Sequence, residues 1–265
     1  MTLTTDQKMF FEENGYLPYR RVLSDEELEA LRQRTMDIAE GQAAHVPSRY
    51  IQLETAFQDG KDTTTPRIDA IRKMTQLCYF DDLFQAAAKK SEIVDVIEDL
   101  LGPNIKLYTD QLMMKPRYNG TVTDWHQDSP AWPFFVPQNH VSCWVALDDA
   151  TIENGCMTII PGSHKWGPVA REYKRRLISD PEVSKPVPVE LEAGHCMFHH
   201  GLNFHRTGAN LTPHRRRGLA LHYLNAETKY LGIEREENRI RTECEKPRGT
   251  FRFMLIRGKE FPDRV

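Results

Sequence analysis

Apolar side chains recur at helical spacing early in the chain, where Leu28, Leu31 and Ile38 follow Ser24-Asp-Glu-Glu27. That tetrad has the form of a capping box, in which the first and fourth residues exchange hydrogen bonds with each other's backbone, and its acidic residues crowd the first turn. A second run, Ser91 to Leu101, carries Ile93, Val94, Val96, Ile97, Leu100 and Leu101 and stops at Gly102-Pro103, where proline forbids continuation. Between them, residues 41–68 mix His, Pro, Gly, Asp and Thr without a period, which predicts a long loop. From Ile105 the texture changes. Short β-branched, aromatic and apolar runs at 105–115, 122–128, 141–148, 156–160, 187–191, 195–199 and 217–224 are broken by Pro, Gly and Asn, the pattern of antiparallel strands. Helical stretches mostly do not separate them, so a parallel βαβ sheet is disfavoured. The expected fold is mainly β with flanking helices: a double-stranded β-helix, or cupin-like jelly roll. One domain is predicted, with a helical part to about residue 103, a jelly-roll core over about 104–225 and a C-terminal extension over about 226–265. Mixed charges over 234–246 predict a solvated helix or loop.

Composition narrows the picture. A chain of 265 residues, 40% hydrophobic and 28% charged, buries enough surface to fold without a disulfide or metal staple, so a bound metal would serve function. Lys+Arg number 35 against 38 Asp+Glu, a balance of −3 that gives no field for nucleic acid or an anionic membrane. No apolar stretch approaches the roughly 20 residues of a membrane span. The five cysteines, Cys78, Cys143, Cys156, Cys196 and Cys244, are far apart and form no CxxC, and the first residues lack the order of a secretory leader. A cytoplasmic protein is expected.

The candidate chemistry begins at Asp124-Trp-His-Gln-Asp128. On a strand His126 and Asp128 would share a face, with Asp124 beside them, and imidazole plus carboxylate is two thirds of the facial triad that holds non-haem Fe(II) with open positions. The missing ligand must come from elsewhere, and His195, His199, His200 and His205 fall within eleven positions. Each can equally be a structural histidine. Arg216 opens the strand Arg216-Arg-Gly-Leu-Ala-Leu-His-Tyr223, where its fork can meet a carboxylate or cap the strand beside Arg215 and Arg217. Lys115 and Arg117 can read an anion or stand as exposed cations at a strand end. Pro130, Trp132, Pro133, Phe134 and Phe135 can line a pocket mouth or pack the core.

These pieces, taken in order, resemble the phytanoyl-CoA dioxygenase family of Fe(II)- and 2-oxoglutarate-dependent oxygenases over most of the chain. The resemblance is carried by Phe11-Glu-Glu-Asn-Gly-Tyr16, Trp125-His-Gln-Asp128, Val141 to Leu147, Glu153-Asn-Gly-Cys156, Pro161-Gly-Ser-His-Lys165, and Phe198 through His205, Thr207, Asn210 and Arg216. It implies His126, Asp128 and His205 as iron ligands, Arg216 as anchor of the distal carboxylate of 2-oxoglutarate, Thr207 as a hydroxyl near that carboxylate, and Trp144 on a bordering strand. It implies Fe(II), 2-oxoglutarate and O2 as cofactor and cosubstrates, a small-molecule substrate, and hydroxylation of a C–H bond with release of succinate and CO2. Many members carry glycine after the distal histidine, where this chain has Arg206. Halogenating relatives replace the ligand carboxylate with a small residue, and Asp128 is retained here, which favours oxygenation. A catalytically silent jelly-roll binding protein is the alternative. A zinc hydrolase using the clustered histidines is a weaker one, because no HExxH helix supports it.

Overall fold

The computed structural model describes residues 2–58, 60, 64–181, 184–231, 253–261 and 264–265. The segment 234–246 and Cys244 lie outside the described residues. The first part of the chain runs α1 (Thr5–Asn14), β1 (Tyr16–Arg21), α2 (Asp25–Ala39), β2 (Ile51–Leu53), α3 (Arg67–Ala70), β3 (Ile71–Thr75), α4 (Asp82–Ala88) and α5 (Ser91–Leu101). It continues as β4 (Ile105–Met113), β5 (Thr123–His126), β6 (Phe135–Val136), β7 (Val141–Ala146), β8 (Met157–Ile159), α6 (Arg171–Ser179) and β9 (Val187–Val189). Then follow β10 (His195–His200), β11 (His205–Thr207), β12 (Gly218–Asn225), β13 (Lys229–Tyr230) and β14 (Met254–Arg257).

Both expected helices form for the expected local reasons. Ser24 and Glu27 exchange the two capping bonds, and α5 ends at Gly102 with φ +91°. Lys90 then pairs with Glu27 at 2.6 Å and ties the two helices together. The first hundred residues are less helical than their sequence suggests, because β1, β2 and β3 all join the main sheet. β1 is an edge strand that pairs only with β10 among the described strands, so Pro18 needs no ladder partner on its free side. The predicted loop 41–68 contains β2, which pairs with β3.

Two antiparallel sheets make the jelly roll. The larger has eight strands in the order β1-β10-β7-β12-β4-β3-β2, with β14 also pairing with β4. The smaller runs β5-β11-β8-β9. Every residue of β7 is buried, and strand alternation divides them between two environments. Val141, Cys143 and Val145 join Phe198, Leu219, Leu221 and Tyr223 against Leu28, Leu31 and Ile38 of α2 and Ile93, Val94 and Ile97 of α5. Each such side chain contributes about 1.5–3 kcal/mol when fully buried. Ser142, Trp144 and Ala146 face the other way, into the space between the sheets, where Trp144 packs with Met157, Met197 and Ala220. The outer face of the large sheet therefore holds the helices, and its inner face is free to carry chemistry.

Gly218 admits the Trp144 ring. A Cβ there would lie 1.9 Å from Trp144 Cζ2, inside the ring's own volume. Gly218→Ala should lower the unfolding free energy by about 1–3 kcal/mol, the usual cost of overpacking. Urea titration checks this, and an unchanged midpoint would mean that the ring is not fixed by this contact.

Candidate metal centre

His126 closes β5 and His205 opens β11, and the two are direct partners across the antiparallel pair. Their rings stand 4.1 Å apart between centroids. Each ring is oriented by the same device. His126 Nδ1–H donates to the carbonyl of Asp124 at 2.8 Å, and His205 Nδ1–H donates to the carbonyl of Asn203 at 3.0 Å. With Nδ1 protonated, the lone pair of each imidazole sits on Nε2, the nitrogen that faces Asp128.

Asp128 arrives by a route different from the one its spacing suggests. The strand ends at His126, and Asp128 has helical angles, φ −73° and ψ −45°, at the start of a short turn. Its Oδ1 lies 3.6 Å from His126 Nε2 and 3.8 Å from His205 Nε2. Those distances are too long for hydrogen bonds, and the ligand atoms, all within 4.8 Å of one another, can share one ion at bonds of about 2 Å. Asp124 does not take part: its exposed carboxylate reaches Lys174 at 3.6 Å.

Electrostatics suit a cation. Burial, and then the neighbouring His126, push His205 down to about 3, so it stays a neutral imidazole. Burial opposes the charge on Asp128, yet the surrounding histidines, His205 first and then His140 and His199, outweigh it and hold the carboxyl well below its usual range. One carboxylate and two imidazole nitrogens are a hard-to-borderline donor set on one side of a point, as a facial site for a divalent metal requires.

The other histidines separate. His195 lies at the far end of β10, opposite Arg21. His199 turns inward, with Nε2 3.4 Å from Oδ2 of Asp128. His200 serves the backbone, because its Nδ1 accepts the N–H of Leu202 at 3.0 Å. Two histidines that the sequence reading passed over also converge on Asp128. His140 and His222 each bring a ring nitrogen within 4.8 Å of it, while Nδ1 of each meets a serine, Ser129 at 2.9 Å and Ser142 at 2.7 Å. Alternation along 217–224 would have placed His222 on the face opposite Tyr223; His140, just before a strand, gives no periodic signal.

Arg216 is 1% exposed, and burial lowers its pKa to about 10, which still leaves it charged. Nη2 donates to the carbonyl of Gly155 at 3.0 Å, and the guanidinium lies 5.3 Å from the centroid of Trp144. Its Nε is buried without a hydrogen-bond partner, and among the described residues no carboxylate pairs with it. A buried cation with an orphaned donor fits an anionic guest. Arg215 and Arg217, by contrast, are engaged by Asp69 and Asp148. Gly155 has φ +82°, and a Cβ on it would come within 2.4 Å of the Gly208 carbonyl oxygen, so the turn that offers its own carbonyl to Arg216 requires glycine. Thr207 is half-buried and lines a cavity of about 250 Å³ with Gly155, Cys156 and Thr158.

The remaining candidates resolve toward structure. Lys115 is buried rather than exposed, and its Nζ donates to the carbonyl of Thr121 at 2.6 Å. Burial, and then Arg216, bring its pKa down to about 7. Arg117 pairs with Asp69. Phe134 and Phe135 pack with Leu224, Phe253 and Val265, while Trp132 stands 5.0 Å from the rings of both His140 and His222.

Fold and site together define a jelly roll with an inward His-Asp-His cluster, and comparison with known proteins places it more closely. The phytanoyl-CoA dioxygenase family profile matches residues 11–218. A probable phytanoyl-CoA dioxygenase of Caenorhabditis elegans is 31% identical over 255 residues, covering 88% of this chain and 79% of that protein. The peroxisomal phytanoyl-CoA dioxygenase of Rattus norvegicus is 29% identical over 247 residues, covering 88% and 71%. Among solved structures, the non-haem alpha-ketoglutarate-dependent epimerase SnoN from nogalamycin biosynthesis superposes with a TM-score of 0.73 at 24% identity, covering 96% of this chain and 98% of its own. This chain belongs to the phytanoyl-CoA dioxygenase family.

His200 supplies a pH test of the surrounding fold. Burial, and then His164, hold its folded pKa at about 3, whereas an unfolded histidine titrates near 6.5. Between those values the unfolded chain binds a proton that the folded chain refuses, so stability falls as pH drops below about 6.5, by up to about 1.4 kcal/mol per unit for this residue. His200→Asn should show a shallower loss than the parent between pH 6.5 and 5 in urea unfolding. Parallel slopes would remove the assignment.

Proposed function

We propose that the chain is a 2-oxoglutarate-dependent non-haem iron dioxygenase that oxidises a C–H bond of a small organic molecule. The convergence of His126, Asp128 and His205 at one point, each imidazole presenting Nε2, carries this reading. Bound iron, with 2-oxoglutarate and O2, would supply the redox chemistry: decarboxylation of the cosubstrate to succinate and CO2, coupled to oxidation of the substrate. The protein's part is to bind, orient and exclude water. His126, Asp128 and His205 would hold the ion from one side and leave its other side to cosubstrate and dioxygen.

Arg216 is the proposed anchor for the distal carboxylate of 2-oxoglutarate. Its buried, unpartnered Nε offers the donor, and the flat guanidinium is held against Trp144. Thr207 supplies a hydroxyl from the strand that also carries His205. The retained Asp128 favours oxygenation over halogenation. No helix among the described residues is long and apolar enough to cross a membrane, and Cys78, Cys143, Cys156 and Cys196 are free, which agrees with a reducing compartment such as the cytoplasm.

An intact donor set together with a buried arginine whose Nε is unpartnered favours an enzyme over a silent binding protein, and a zinc hydrolase built on the histidine cluster finds His195 at the far end of β10 and His200 engaged by the Leu202 backbone. Anaerobic protein with Fe(II) and 2-oxoglutarate should develop a visible charge-transfer band, and admission of air should release succinate. Absence of both refutes the reading. Asp128→Ala should abolish turnover. Arg216→Lys keeps the charge but loses the fork, so the KM for 2-oxoglutarate should rise about 10–100-fold, as expected for about 1.5–3 kcal/mol of charge-assisted bonding. An unchanged KM in Arg216→Lys and Arg216→Ala would remove the anchor.

A further inference from the structure

The two oxygens of Asp128 face different partners. Oδ1 looks toward Nε2 of His126 and His205, at 3.6 and 3.8 Å, while Oδ2 looks toward Nε2 of His199 at 3.4 Å. His199 is 2% exposed on the inner face of β10, and its Nδ1 is buried without a partner. A carboxylate only accepts, so the nitrogen that bonds it must carry the ring hydrogen. His199 is therefore an Nε2–H donor, with its other nitrogen idle. In that tautomer Nε2 has no lone pair to give a metal, although its ring stands only 4.9 Å from that of His205.

This division of labour has a consequence for coordination. A carboxylate free to rotate can give a metal both oxygens and occupy two positions, whereas one whose second oxygen is engaged gives one. We propose that His199 is a positioning residue that holds Oδ2 of Asp128 away from the metal, so that the carboxylate takes a single coordination position. The inference rests on the metal reading above, which needs three positions left open. His140 and His222 stand near the same carboxylate, and with Asp128 they form a second group of donor atoms within 4.8 Å. A second ion bridged through Asp128 is the competing use of that oxygen.

Cobalt(II) binding to the full chain, without cosubstrate, tests the proposal through visible d–d absorption, whose intensity reports coordination number. The parent should bind one cobalt per chain. His199→Phe, which keeps a ring but cannot donate, should weaken cobalt binding about 10–100-fold, the usual effect of removing a group that orients a ligand. Its bands should move in position and intensity, because the second carboxylate oxygen takes a place that solvent holds in the parent. His199→Gln, whose amide N–H can reach Oδ2, should recover most of both properties. The proposal fails if His199→Phe keeps the parent's affinity and spectrum, if His199→Gln is no better than His199→Phe, or if the parent binds two cobalt ions. A parent that takes up no cobalt, or an Asp128→Ala variant that binds it as tightly, refutes the metal reading itself and His199's role with it.

Discussion

A carboxylate held away from water is the constraint around which the interior is arranged. Asp128 keeps 13% of its side-chain surface exposed, and a charge so placed is costly unless donors or a cation meet it. Five histidines, His126, His140, His199, His205 and His222, bring ring nitrogens toward it from both sheets and the loop between. They stand on two sides. His126 and His205 turn lone pairs toward one oxygen, while His199 turns a hydrogen toward the other. The tautomers of His126 and His205 are set by backbone carbonyls one step further out, so this part of the pocket's polarity is written in main-chain geometry.

That geometry is held from outside. The apolar faces of β7, β10 and β12 lie against α2 and α5, and this packing fixes the strands whose inner faces carry Ser142, His199 and His222. Tyr223 shows the coupling most directly. Its ring is buried among the helices and its hydroxyl donates to the carbonyl of Ala88 at 2.8 Å, while its neighbour His222 points inward to Ser142. Moving one side chain of this pair moves the other, because alternation allows no independent adjustment.

How much of this was legible depended on how local the signal was. α2 and α5 could be read because caps and apolar spacing are properties of a dozen consecutive residues. β1 and β3 could not: Pro18, Arg20 and Arg21 in one, and Arg72 and Lys73 in the other, suppress the alternation that marks a strand; in β1 an edge position is what allows it. β11 is three residues long, too short for any period. At the site, His126 and Asp128 were recognisable by chemistry, but a turn rather than strand alternation brings them together. His140, His199 and His222 meet only through pairing of strands far apart in sequence, which no window along the chain contains. Arg216 was distinguishable from Arg215 and Arg217 only by resemblance, since all three have the same charge and the partners that separate them, Asp69, Asp148 and Gly155, are distant in the chain.

The proposed occupants also balance the interior electrically. A divalent iron and the guanidinium of Arg216 bring three positive charges, and the carboxylate of Asp128 and the two carboxylates of 2-oxoglutarate bring three negative ones. Each pairing taken alone leaves a residue of charge in a low-dielectric space: the metal with Asp128 is a net cation, and Arg216 is a cation with an unused donor. A dianion long enough to span from the metal to the arginine cancels both at once, which a monocarboxylate of the same length would not. The neutral state of His205 belongs to the same balance, because a protonated imidazole there would add a positive charge and remove a ligand together. A dicarboxylate is the guest such a pair would suit, with the guanidinium of Arg216 and the carboxylate of Asp128 as opposite charges at separate points of the interior.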